Sequence, residues 1–402
     1  MVYGVMSEYC QPNESGLFDK AVRLEELHAM GDPLARLDEV IDWALFEAVF
    51  ERLPKAEPKG LGGRPAFAPA MMFKALIIQN LYQLSDAQLE FQITDRLSFK
   101  RFLGRTDADK SPDEKTFWAF RETLTRHELI EPLFAIFHTA LEAQGMFARK
   151  GQRVAATFVE VARQRNHSAL SRFGRLPFDF AQGLSLSNGK ALSLSKGSWP
   201  KGSREDNATI KVGGVPEGWK DQPQKARQKD VAARWTKKNG GRYYGYKNHV
   251  KVESRSHSAL SSWPKGKLIE DFTVTAASVH DRNALEELIA EGDPTTYVDS
   301  AYTGARCEQI FAERRVPAKP IERACRNKPL NGSQQRNNRA RSKIRVRVEH
   351  VFATMRMCMR SAWNRCIGLS RNRAMISMTN LVDNMVRFEQ IERLGLKNWR
   401  AA

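Results

Sequence analysis

With 402 residues, 27% of them charged and 42% hydrophobic, the chain is long enough for two or three domains and too apolar to be disordered. No apolar run approaches the roughly 20 residues that a membrane span needs. The opening MVYGVMSEYCQPNESG has no basic stretch leading into an apolar one, so a cytoplasmic protein is expected. The net charge of +18 favours polyanionic partners: DNA, RNA or an anionic membrane surface. The five cysteines form no CxxC pair and keep no zinc-like spacing to histidine, which argues against a disulfide scaffold or a structural zinc site.

In chain order, residues 20–55 read as helical, broken at Gly31-Asp32-Pro33. GLGGRPAFAP (60–69) reads as a linker, and 60–145 as a bundle of short helices suited to DNA binding or to a structural cap. Ser85 with Gln88 predicts a capping box. Ser111, Pro112 and Glu114 together predict a helix start. The pattern changes near 151. RVAATFVEVA, RYYGYKNHVKVES and KLIEDFTVTAAS read as strands. They are followed by a helix (HDRNALEELIAEG), a short strand (TTYVDSAY), a helix (ARCEQIFAERR), a short strand (VPAKPI) and a long basic helix. Strands in series followed by strand–helix alternation predict an α/β fold with a mixed sheet flanked by helices, preceded by an all-α region.

Two segments break the pattern. Residues 167–202 and 257–266 both begin HSALS and both end SWPKG, and the longer one repeats GLSLSNG as ALSLSKG. Such repeats are not core sequence. Their excision joins RQRN to SREDN and VESRS to KLIEDF, so both are read as in-frame insertions.

The charge is concentrated as well. Residues 321–373 hold 14 Lys/Arg against Glu322 and Glu349, a net of +12, interleaved with aliphatic residues at helical spacing. A helix there would have one core face and one basic face, which suits a phosphate backbone. Ile344, Val348, Val351, Phe352, Met355 and Met359 fall on the apolar side, with Arg345, Glu349 and Arg356 on a stripe beside it. Asp299 closes a short apolar strand. Carboxylates at such strand ends serve either as metal ligands or as turn formers.

Several stretches resemble the insertion-sequence four and five transposase families, the five family most: RLEELHAMGDPLARLDEVIDW, MMFKALIIQNLYQLSDAQLEFQITDRLSFKRFLG, SPDEKTFWAFRE, TFVEVARQRN followed by SREDN, GYKNHVK, VDSAY and RVRVEHVFATMR. The resemblance implies a ribonuclease-H-like domain over 146–400, after a helical leader (1–59) and an all-α domain (60–145). It implies a transposase that cuts and joins element ends at an Asp-Asp-Glu centre using Mg²⁺ or Mn²⁺. The second Asp maps onto Asp299 and the Glu onto Glu349, both then metal ligands. Arg345, Arg356, Arg347, Lys343 and Lys247 become candidate DNA contacts. Double-stranded DNA is the implied partner of a homodimer or larger assembly, associated with the nucleoid. Arg345 and Glu349 match the family signature around the Glu, Arg356 keeps its last positive charge, and Ser342 stands where a Tyr is expected. At the first strand the family has Asp-Ala-Thr, whereas this chain reads Ala155-Ala156-Thr157. Glu160, five residues on, falls on the opposite strand face and is no substitute. The resemblance thus implies a degenerate copy: an impaired transposase, or a catalytically dead protein that still binds DNA ends.

Overall fold

The computed structural model describes residues 19–54, 66–147, 151–162, 206, 208–210, 212–219, 230–238, 240–253, 267–324 and 329–395. The chain divides into two compact units, 1–124 with 384–402, and 125–383. The sequence reading drew its boundaries at 59/60 and 145/146.

The first unit is helical: α1 (Asp19–Ala29), α2 (Pro33–Val40), α3 (Glu47–Phe50), α4 (Pro69–Tyr82), α5 (Asp86–Asp95), α6 (Leu97–Phe102) and α7 (Glu114–Arg126), whose last two residues fall in the second unit. Local chemistry sets the boundaries. Gly31 takes φ +84, and Asp32 caps α2 by accepting from Leu34 N with Pro33 in the first turn. The capping box of Ser85 and Gln88 is present in both directions. The start of α7 differs from expectation. Asp113, not Ser111, accepts from the Thr116 amide, because the helix begins at Glu114 and only Asp113 stands three residues before that donor. Ser111 instead takes a hydrogen bond from Thr94. Phe46, Phe73, Phe99 and Phe102 are buried in this unit. Arg121 holds Asp86 by two guanidinium nitrogens, and this with the Gln79 amide outweighs the effect of burial and keeps the Asp86 carboxyl below its ordinary range.

The second unit begins with the end of α7 and α8 (Ile130–Ala143), followed by β1 (Gln152–Val161), β2 (Arg234–Lys238), β3 (Gly241–Glu253) and β4 (Ile269–Ala276). After these come α9 (Leu285–Leu288), β5 (Thr296–Val298), α10 (Ala305–Glu313), β6 (Ala318–Pro320), α11 (Gly332–Cys358), β7 (Trp363–Asn364) and α12 (Leu369–Arg393), whose last turns fall in the first unit. The sheet is mixed. β4, β3 and β1 are antiparallel neighbours, and β1, β5 and β6 run parallel, giving the order β4-β3-β1-β5-β6. β2 extends the β4 edge of β3, and β7 pairs with the end of β1. One face packs Val154 and Val298 on α9 and α10, and the other packs Val159 and Tyr246 against Ile376 of α12. At Gly245 (φ +149) a Cβ would meet the Val159 carbonyl at 2.3 Å, so only glycine lets β3 run this close to β1.

Both proposed insertions lie outside the described residues. Their flanks are informative, because Glu253 N donates to Leu268 O, so 254–267 joins β3 to β4. Without 257–266 that link has four residues, an ordinary hairpin length.

A cavity of about 390 Å³ near this link is lined by Gln152, Lys251, Glu270 and Asp293. Burial pushes the Glu270 carboxyl up to about 8. A folded-state pKa above that of the unfolded chain gives stability that is full in acid and lost as pH rises towards 8. We expect Glu270→Gln to remove roughly 3 kcal/mol of that decline. Melting curves at pH 5, 7 and 9 check this, and parallel wild-type and variant profiles would rule Glu270 out.

Candidate active site

β5 stops at Val298, and Asp299 is the cap of a single 3-10 turn, Ser300–Tyr302, its Oδ1 accepting from Ser300 N at 2.7 Å. The other oxygen faces α11. The Asn331–Gln334 capping box starts this helix, and its buried residues Val348, Val351, Phe352 and Met355 set its rotation against the sheet, across β1 and β5. That rotation puts Arg345 and Glu349 on the flank over the strand ends. Arg345 Nη1 lies 3.9 Å from Asp299 Oδ2 and 3.6 Å from Glu349 Oε1, so one guanidinium nitrogen reaches both carboxylates. These distances give ion pairs rather than hydrogen bonds. The carboxylates are open, with 43% and 55% of their side chains exposed, while Arg345 is largely covered.

Strand register locates the third position. β1 and β5 pair in parallel, with Gln152 opposite Thr296 and Arg153 opposite Tyr297. Continuing that register by two residues sets Ala155 beside Asp299, on the same face of the sheet. Ala155 is buried and its methyl offers no ligand. Two residues further on that face, Thr157 Oγ1 accepts a hydrogen bond from Arg356. Glu160 is on the other face, opposite Gly245. Among the described residues, no three His, Cys, Asp or Glu side chains are grouped to hold a metal ion.

The remaining candidate cations differ in placement. Lys343 is exposed. Arg347 is half-buried, and its charge, after burial itself, helps lower buried Arg153 to about 10. Lys247 is not at the surface. It is 8% exposed, and its ammonium donates to Val279 O at 2.6 Å and Asp281 Oδ1 at 2.7 Å. Burial alone would raise the Asp281 carboxyl, but Lys247 outweighs it and holds Asp281 below the usual range. Both faces of β3 are covered here, so a lysine in this strand is enclosed and must find an internal anion. Sequence reasoning missed Tyr302. Its hydroxyl is buried without a hydrogen-bond partner among the described residues, and burial, then Asp281 and Asp299, push its pKa far up. The buried aromatic three residues after Asp299 was the available signal.

Residues 22–123 match a transposase domain family (DUF772), and residues 219–385 match the transposase DDE domain family. The second match includes Asp299 and Glu349 and begins after β1, so Ala155 lies outside it. No solved structure matches the chain. A transposase domain followed by a DDE domain supports a DNA transposase of the insertion-sequence type, with DNA as the partner such a family implies.

Proposed function

We propose that this chain is a transposase of the insertion-sequence five type that retains DNA-end binding and is impaired in strand cleavage and joining. The observation that carries this reading is the register of β1 and β5, which sets Ala155 beside Asp299 while α11 brings Glu349 to the same guanidinium. The strand order, antiparallel β4-β3-β1 continued by parallel β5 and β6, supports a ribonuclease-H-like domain. In such a centre two metal ions would activate the attacking oxygen and stabilise the leaving one, and a shared carboxylate would fix their spacing. The residues here do not fit that pair, since Asp299 and Glu349 remain and the third ligand is a methyl group. No cleavage step follows from them.

α11 keeps cations on both flanks of its buried face, Arg345 and Arg356 on one and Lys343 and Arg347 on the other, and this favours the second reading, an end-binding remnant that competes with active copies. Lys247 does not belong to that set. Assembly as a dimer on paired ends completes the reading. A test uses the purified full chain and labelled duplexes from either side of its own coding sequence. The expected result is binding that weakens steeply with salt and no nicking in Mn²⁺. Cleavage by this chain would overturn the assignment of position 155, and absence of binding at low salt would overturn the DNA reading.

A further inference from the structure

The β2–β3 hairpin takes no part in the carboxylate centre. From Arg234 to Arg242 it carries four cations and no acid, and the next acid along the chain is Glu253. Pairing sets Lys237 opposite Arg242 and Trp235 opposite Tyr244, so the four share one face, the cations nearer the turn. Lys237 and Arg242 are both exposed, and directly opposed like charges repel. Trp235 rests on Tyr244 at 5.1 Å between centroids and still exposes 52% of its surface. The opposite face is internally satisfied: Phe158 stacks on Tyr243 at 4.4 Å, and Lys238 lies over the Phe158 ring. Arg234 is turned to the carbonyls of Val231 and Ala233.

The exposed face is on the same side of the sheet as the candidate centre, and α12 covers the stretch between them, over Tyr246 and Asn248. Ala155 is opposite Val250, and alternate residues of β3 carry that face from Val250 to Arg242. The separation along the strand is about 26 Å at ~3.3 Å per residue, close to eight base pairs of duplex at ~3.4 Å each. A partner that relieves the cation pair and covers a flat ring must carry closely spaced phosphates and a planar base.

We infer that the hairpin is a second DNA contact, in which Lys237 and Arg242 clamp a backbone phosphate and Trp235 stacks on an unpaired base flanking the bound duplex. The inference rests on the DNA-transposase reading and deepens it.

The test is fluorescence anisotropy of the full chain in EDTA, so that binding alone is read. The probes are a 30-base-pair duplex and the same duplex with a three-nucleotide unpaired end. Wild type is expected to prefer the unpaired end. Trp235→Ala should remove that preference, changing duplex affinity less than twofold. Lys237→Ala with Arg242→Ala should weaken both probes about tenfold and lower the salt slope by roughly one. Trp235 and Lys237 are on the edge strand β2 and Arg242 is at the exposed start of β3 beside it, and melting curves check that the variants remain folded. Retained preference in Trp235→Ala overturns the stacking contact, and an unchanged salt slope in the double variant overturns the clamp. In either case wild-type binding to both probes leaves the transposase reading standing. A wild-type chain that binds neither probe overturns both.

Discussion

Ala155→Asp, made in a chain lacking 167–202 and 257–266, is expected to raise Mn²⁺-dependent nicking of the element's own ends by at least about 10³-fold, equivalent to ~4 kcal/mol of transition-state stabilisation. The substitution places a carboxylate on the face that holds Asp299 and within the field of Arg345 and Arg356. The buried charge therefore enters beside cations rather than in an apolar core. Four proteins separate the causes: the natural chain, the substitution alone, the excisions alone, and both together. The excised chain with Ala155 retained should stay inactive, because removing those residues supplies no ligand. A second readout does not depend on turnover. Millimolar Mn²⁺ should raise the melting temperature of the Ala155→Asp variant, since an ion that binds only the folded state stabilises it, and should leave the chain with Ala155 unmoved. Equal nicking by all four proteins would show that position 155 is not a ligand position.

The sequence carried more of this centre than of the sheet around it. The strand-end position of Asp299 and the helix-flank position of Glu349 were legible because each closes or rides an element with a clean apolar pattern, and the core face of α11 follows the predicted residues, four of which the helix buries: Val348, Val351, Phe352 and Met355. The strands predicted over 153–162, 242–254 and 267–278 are present, at 152–161, 241–253 and 269–276, since buried runs of this length have few alternatives. β2 was not legible. RWTKK is half exposed at an edge and takes its conformation from pairing with β3. HDRNALEELIAEG forms a 3-10 turn and one α-turn rather than one helix, ending where Ile289 becomes extended and buried. α12 announces itself least. It buries Asn372, Ser377, Asn380, Asp383 and Asn384 among its apolar residues, so no apolar stripe stands out. The reason is tertiary: Asn380 and Asn248 of β3 exchange side-chain hydrogen bonds, a pairing across 132 residues that no local pattern encodes. Lys247 was misplaced for a related reason, since alternation along β3 cannot reveal that both of its faces are covered.

The same kind of long-range polar anchor predicts the largest stability effect. Asp230 is 2% exposed and stands just before β2. Its Oδ1 accepts from Ala232 N, Ala233 N and the Tyr246 hydroxyl at 3.1, 2.9 and 2.7 Å, and its Oδ2 accepts from Gly368 N at 2.9 Å. One carboxylate thus ties the entry of β2 to the middle of β3 and to the residue preceding α12. Asp230→Ala strands several buried donors and is expected to cost about 3–5 kcal/mol. Asp230→Asn keeps one acceptor oxygen but turns an amide donor towards the Gly368 amide or the Oδ1 cluster, and should cost roughly 1–3 kcal/mol. Tyr246→Phe removes one hydrogen bond and leaves the carboxylate those from Ala232, Ala233 and Gly368, so a loss of about 1 kcal/mol is expected. Because the chain has two units, unfolding need not be a single transition. The measurement is therefore amide exchange in β3 and the first turns of α12, where protection should fall in the order Phe, Asn, Ala. Protection in the Ala variant equal to wild type would mean that the apolar cluster of Val159, Tyr244 and Ile376 holds these elements without the carboxylate.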